Sequence, residues 1–543
     1  MRGRSRLAIA AASISALALA LSACGGGGGT TTGSGSGSGA GASGGGEIVI
    51  KGCTPENPLV PGNTSETCGG DIVDAFTAKL VHYNTDTADP EMDIAESIET
   101  EDNQTFTVKL KKGYKFQDGT EVKAKNFVDA WNYTAAAKNG QAGSYFMSVI
   151  EGAKEISAEG ATGETMTGLA IVDDHTFTIK TTEKVSNLPV RLGYSAFAPM
   201  PDSFFADPKA FEDKPIGAGP FQIESRDTQN TVLTKFADYS GENPANVDKL
   251  TFRVYTDPAA AYTDVVANNL DYTNEIPPDQ MIGEAYKSDL SDRNLNRASG
   301  RFQAIVFSPN DEQLKDNVKL RQALSMAINR ELIAKEILHG SVIPAKGWAP
   351  SVVDGATDTA CGESCTFDAA KAKALYDEAG GYDGVLALTT NGDGAHRAWT
   401  EAVCNSIKNA VGADCRVVLT PDFATYNKQI DAGELKGMFR SGWQMDYPSI
   451  ENFLGPIYTT GADSNWSKYN NPAFDAKLAE AAAAGTDDEA NKLYQEAEAM
   501  LGQDLPTTPL WYPTTTVGWS NKVTDVKINA FGVLDFSAIK VKN

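Results

Sequence analysis

Apolar residues recur along the chain in two alternating rhythms. Period-two runs at 47–51, 105–110, 176–180, 231–233, 250–255, 385–389 and 416–419 are the length of half-buried strands. Between them, spacings of three, four and seven mark helices. Residues 71–80 bring Ile72, Val73, Phe76 and Leu80 to one face, and 123–137, 368–379, 399–411 and 487–501 read the same way. The longest such pattern, 318–338, carries Leu320, Ala323, Leu324, Ala327, Ile328 and Ile337 behind a cap at Asp316 or Asn317. Residues 55–63, rich in Pro, Gly and Asn, read as loop. Interleaved strands and helices predict the α/β class, and no repeat of roughly 20 to 50 residues points to a solenoid or propeller.

Size and charge narrow the function. At 543 residues the chain exceeds the ~250 to 300 at which a single core stops growing, so several lobes are expected. With 71 acidic residues against 47 basic ones the net charge is −24, a surface that repels a phosphate backbone and excludes nucleic acid as a partner. His82, His175, His339 and His396 lie far apart and form no metal-binding pair, so no metal site is expected. Catalytic signatures are missing as well. Gly217-Ala218-Gly219 runs into Pro220, which spoils a phosphate-cradling turn, and acidic pairs such as Asp173-Asp174 and Asp487-Asp488 are expected as turns and caps. An enzyme is thereby disfavoured, and no catalytic residue and no cofactor are expected.

The amino-terminal region reads as an address. Arg2, Arg4 and Arg6 precede an uncharged run of 15 residues at 7–21, too short to cross a bilayer of about 30 Å, so residues 1–23 read as a secretory signal. Leu21-Ser22-Ala23-Cys24-Gly25 resembles a bacterial lipobox, which would place a lipid on Cys24 and the protein on the outer face of the cell membrane. Residues 24–46, largely Gly, Ser, Thr and Ala, read as a flexible tether. The other six cysteines form close pairs: Cys53 with Cys68, Cys361 with Cys365, Cys404 with Cys415. Six cysteines allow fifteen connectivities. Neighbours in sequence close at least cost, and an exported chain sits where disulfides persist, so these three bridges are expected.

Further segments carry a more specific pattern. Tyr114-Lys115-Phe116-Gln117-Asp118-Gly119-Thr120 leads into 123–128, then come Pro215-Ile216-Gly217-Ala218-Gly219-Pro220-Phe221 and Asp238-Tyr239-Ser240-Gly241 before 247–253. Leu270-Asp271-Tyr272, the helix pattern from Val318 to Arg330, and Lys468-Tyr469-Asn470-Asn471-Pro472-Ala473-Phe474-Asp475 follow. In this order, from about Asp71 to Trp511, they resemble family 5 of the solute-binding proteins of ABC importers, which includes oligopeptide-, dipeptide- and nickel-binding proteins. The resemblance implies a three-lobed periplasmic-binding-protein-like fold of class II, cluster C: two main lobes around a hinge plus an inserted lobe. Lobe I would comprise 47–86, 201–303 and 506–543, lobe II 87–200, and lobe III 304–505. The ligand would lie between lobes that close over it, and a monomer would hand it to permease and ATPase subunits.

Residues 437–447 contain Gly442-Trp443-Gln444-Met445-Asp446-Tyr447, similar to the family's Gly-Trp-x-x-Asp-Tyr. In the oligopeptide-binding branch the matching acid receives the peptide's α-ammonium and backbone beside the Trp pairs with the peptide. The resemblance therefore assigns the ammonium to Asp446 and the strand pairing to Gly442, Trp443 and Gln444. A fixed carboxylate supplies a bond of roughly 1.5 to 3 kcal/mol to an ammonium, while backbone pairing accepts any side chain. Arg440 matches an arginine that meets a ligand carboxylate, and alternation puts it on the face of Gly442, Gln444 and Asp446. The plainer alternatives are an ion pair for Arg440, a core aromatic for Trp443 and a turn carboxylate for Asp446. Asn63, in the loop clipped by Cys53 and Cys68, is expected to face the ligand from lobe I. Met445 stands where Ala is usual, and Tyr447-Pro448-Ser449-Ile450 departs from the family's usual continuation. Peptide is thus the leading ligand. The alternatives are an oligosaccharide stacked on Trp348, Trp399, Trp443, Trp466 or Trp511, a nickel or other metal chelate, and, from another class, a secreted hydrolase or signalling lipoprotein.

Overall fold

The computed structural model describes residues 45–542 apart from Ser65 and Asp463. The signal run, Cys24 and the tether up to residue 44 lie outside them.

The alternating runs do form strands, and five of them lie on one continuous path of ten strands. Its order is Asp414–Thr420, Val385–Asn391, Met438–Gln444, Arg301–Phe307, Thr507–Trp519, Tyr272–Thr273, Glu47–Gly52, Lys249–Val254, Asn230–Lys235, Phe221–Arg226. The 13-residue strand Thr507–Trp519 joins the two halves. Its first part pairs with Arg301–Phe307 and Val342–Pro344, and its last part with Asn294–Ala298 and Tyr272–Thr273. A separate four-stranded antiparallel sheet orders Ala95–Thr100, Thr105–Leu110, Thr176–Lys180 and Leu169–Asp173.

Each sheet region buries its own core. On the four-stranded sheet, Trp131 from helix Ala124–Ala135 meets Phe127, Phe177 and Phe197 at centroid distances of 6.0, 5.6 and 5.3 Å. The Trp131 indole donates to Phe197 O at 3.0 Å, so the polar edge is satisfied inside the aromatic cluster. Ile48, Ile50, Phe76, Leu233, Leu250 and Phe252 pack a second core around Glu47–Gly52. The largest core gathers Phe307, Leu324, Trp348, Leu388, Phe453 and Tyr494. All three neighbouring cysteine pairs are bonded: Cys53–Cys68, Cys361–Cys365 and Cys404–Cys415.

Two helices differ from the periodic pattern. The helix expected at 71–80 is Thr67–Phe76, opened by the Glu66 carboxylate accepting from Gly69 N at 2.8 Å. It stops at Phe76 because the 217–219 loop lies across its end, where Gly219 N donates to Phe76 O at 2.9 Å. A β-carbon on Gly217 would sit 2.1 Å from that same carbonyl, which explains the glycines that looked like a broken phosphate loop. The single helix expected at 318–338 is two, Val318–Met326 and Arg330–Glu336. Asn317 caps the first and Asn329 the second, each accepting from the amide three residues on. Arg330 is 2 % exposed and donates to the carbonyls of Ser325, Ile328 and Pro509, filling the break.

Candidate functional site

The 437–447 segment begins as a strand and ends in a turn. Gly437 has φ +69°, and a β-carbon there would meet Ala387 O at 2.6 Å, so only glycine lets the strand start this close to Val385–Asn391. Met438–Gln444 pairs along its whole length with Arg301–Phe307, but with Val385–Asn391 only at Met438 and Phe439. From Arg440 to Gln444 the other edge is open. Ser308 N donates to Gly437 O at 2.9 Å and Met445 N to Gly300 O at 2.8 Å, so odd-numbered backbone groups face the inner partner. By alternation the amides and carbonyls of Gly442 and Gln444 face the open edge, while Trp443 spends its own on Phe302. The Arg440 carbonyl on that edge is capped by the Tyr426 hydroxyl. Arg440, Gly442 and Gln444 therefore share a face, and the Arg440 Nη1 lies 3.3 Å from where a Gly442 β-carbon would stand.

Asp446 lies past the strand, and Asn452 sets its position rather than strand alternation. The fully buried Asn452 accepts at Oδ1 from both the Asp446 amide, at 2.9 Å, and the Trp443 indole, at 3.0 Å, and donates from Nδ2 to Asp446 Oδ2 at 3.2 Å. Burial pushes the Asp446 carboxyl up to about 6; Glu451 adds to this, and the Asn452 bond and Arg191 oppose it. No cation lies within 4 Å of it among the described residues.

Immediately beyond, Glu451 accepts from Tyr447 Oη at 2.6 Å, Arg191 Nη2 at 3.0 Å and Asn187 Nδ2 at 3.1 Å. Arg191 also covers the Tyr447 ring at 4.9 Å. The segment holding Asp446 is thereby strapped to residues 187–191.

Facing Asp446 is a wall of tyrosines that no local motif announced. Phe146 is sandwiched between Tyr145 and Tyr194 at 4.0 and 4.1 Å. Burial first, and then Asp446, Asp74 and Glu66, hold the Tyr194 hydroxyl above its ordinary value, and burial and Asp446 do the same to Tyr145. Tyr194 lines a cavity of about 440 Å³ with Glu66, Asp71, Asp74, Tyr83 and Gln444. Seven carboxylates line it against Lys79 and Lys527. Burial, helped by Asp74 and Glu66 and opposed by Lys51, raises Asp71 to about 7. Such a chamber favours a cation that would neutralise these groups.

The remaining sequence-predicted residues are placed as follows. Arg440 lies over the Phe423 ring at 5.7 Å, and burial lowers its guanidinium pKa. It forms no ion pair among the described residues, and its Nε is buried without a partner. Beside it, burial and the Arg440 charge hold His396 down at about 4, leaving it neutral at physiological pH. Asn63 is not among the residues lining the cavity beside Tyr194: its Oδ1 accepts from the Ala142 amide at 3.1 Å, joining two loops. Trp348, Trp399 and Trp511 are 0, 3 and 2 % exposed and present no ring to a sugar. Among the described residues no three His, Cys, Asp or Glu side chains are placed to hold a metal, and no helix is long and apolar enough to cross a membrane.

The chain is similar to known proteins in sequence and in fold. The family model for bacterial extracellular solute-binding proteins, family 5, matches residues 89–465. The dipeptide-binding protein of Escherichia coli is 25% identical over 488 residues, covering 86% of this chain and 88% of its own. Heme-binding protein A of Haemophilus influenzae is 24% identical, covering 85% and 86%. Among solved structures, the unliganded open form of the murein tripeptide-binding protein MppA superposes with a TM-score of 0.82 at 23% identity, over 92% of this chain and 98% of that one. These relatives are named for what they bind: a dipeptide, heme and a murein tripeptide. The chain belongs to family 5 of the extracellular solute-binding proteins of ABC importers.

Proposed function

We propose that the protein captures short peptides by their free amino terminus and delivers them to the permease and ATPase of an ABC importer, while a lipid on Cys24 holds it to the outer face of the cell membrane. The observation that carries the reading is an open strand edge at Gly442 and Gln444 ending beside Asp446, a carboxylate with no protein cation. An extended peptide laid on that edge would gain main-chain bonds from Gly442 and Gln444 and bring its ammonium to Asp446. The edge from Arg440 to Gln444 spans roughly 13 Å, room for about four extended residues, and Arg440 at its far end would receive a carboxylate. The names of the dipeptide- and murein tripeptide-binding relatives agree with a peptide ligand.

Calorimetric titration of the refolded mature domain with di- to pentapeptides tests this. Micromolar binding is expected to vanish on amino-terminal acetylation and to weaken by about 2 kcal/mol in Asp446→Asn. Equal binding of free and acetylated peptides would overturn the ammonium anchor, and no heat with any peptide would overturn the ligand class.

A further inference from the structure

A second cavity of about 420 Å³ adjoins the acidic one, sharing Thr67, Gln444 and Phe531 with it. Its charge is inverted: Lys51 and Arg301 stand against Glu275, among the hydroxyls of Ser341, Thr514 and Thr515. Lys51 is already paired, with Glu275 at 3.1 Å and the Asn274 side chain at 3.2 Å. Arg301 is not. Its Nε donates to Ser299 Oγ at 3.0 Å, and its Nη2 to Thr514 O at 2.8 Å and Thr515 Oγ1 at 3.3 Å, all neutral oxygens. No carboxylate lies within 4 Å of it among the described residues, and burial alone acts on its pKa, downward, with no acid opposing. Nη1 has no protein partner among the described residues, and unlike the Nε atoms of Arg321 and Arg440 it is not sealed from solvent.

A partly buried guanidinium without a counter-charge is costly, and a planar fork with one free arm fits a carboxylate. Its three neutral bonds also fix the fork, so an arriving anion would find it already oriented. We propose that this cavity is an anion subsite in which Arg301 receives a side-chain carboxylate of the same peptide whose ammonium meets Asp446. Gln444, which lines this cavity and lies two residues from Asp446, links the two charges, so the site selects peptides bearing an acidic side chain. Arg301 begins the strand paired with Met438–Gln444 and reaches across to the Thr507–Trp519 strand, so an anion there would touch both. This deepens the peptide reading and rests on it.

The test offers the refolded chain tripeptides in which Glu or Gln occupies each position in turn. At one position Glu is expected to bind about tenfold tighter than Gln, a difference that disappears in Arg301→Gln. Equal affinities at every position, or a preference that survives the substitution, would overturn the proposal. A variant-free arm follows phenylglyoxal labelling by peptide mass mapping. The preferred Glu peptide should protect Arg301 and leave the exposed Arg416 reactive, and equal labelling of Arg301 with and without it would count against the subsite. If no peptide of any kind gives heat, the peptide reading falls and succinate becomes the probe: protection of Arg301 by succinate supports the anion subsite, and its failure overturns it.

Discussion

Asp446 and Asp71 show the same chemistry at the scale of single residues. Each is a carboxyl that burial holds far above its ordinary value, to about 6 and about 7. A cationic ligand needs Asp446 ionised. Peptide affinity is therefore expected to be level above pH 7 and to fall by up to a decade per unit below pH 6, a slope that calorimetry at a series of pH values should find flattened in Asp446→Asn. For folding, the sign is opposite to that of a salt-bridged acid. A folded-state pKa above the unfolded one favours the folded state fully below about pH 4, and that contribution is lost as pH rises through about 7. Asp71→Asn should therefore raise stability by roughly 1 to 2 kcal/mol at pH 8 and leave it unchanged at pH 4, as read by urea denaturation. At neutral pH both residues carry a burial cost that a bound cation would offset. The resemblance assigns the ammonium to Asp446 through its neighbours Gly442 and Trp443, but no motif pointed to Asp71, Tyr145 or Tyr194. These converge only in three dimensions, from separate elements.

At the scale of elements, the strand Met438–Gln444 and the strap after it carry separable predictions. Because the Gln444 amide faces the open edge, Gln444→Pro should remove a ligand-directed donor while sparing the inner pairing with Arg301–Phe307. Peptide affinity should drop about tenfold relative to Gln444→Ala, with an unchanged melting temperature. The Arg191–Glu451 pair, 22 and 14 % exposed at its side chains, predicts a different signature. Glu451→Gln alone should cost about 3 kcal/mol because it leaves Arg191 uncompensated, and adding Arg191→Met should recover part of the loss in denaturant titrations. Most elements were legible from periodicity, since 105–110, 176–180 and 399–411 form close to where the pattern put them. The break at Asn329 was not. It depends on Arg330 reaching the carbonyl of Pro509, a partner 179 positions away that no local window contains. For the same reason the end of the Thr67–Phe76 helix was misplaced: a loop more than a hundred residues downstream stops it.

For the whole molecule, the strand Thr507–Trp519 has a consequence for biogenesis. It follows both of its partners in the chain, and it is the path member that hydrogen-bonds both Arg301–Phe307 and Tyr272–Thr273. While the ribosome is still elongating, the central sheet has a gap where that strand belongs, with the exposed backbone on either side unsatisfied. The two halves of the sheet thus stay unjoined until residue 519 has been made, more than two hundred residues after Phe307. Two separately packed halves form before the piece that welds them into one sheet exists.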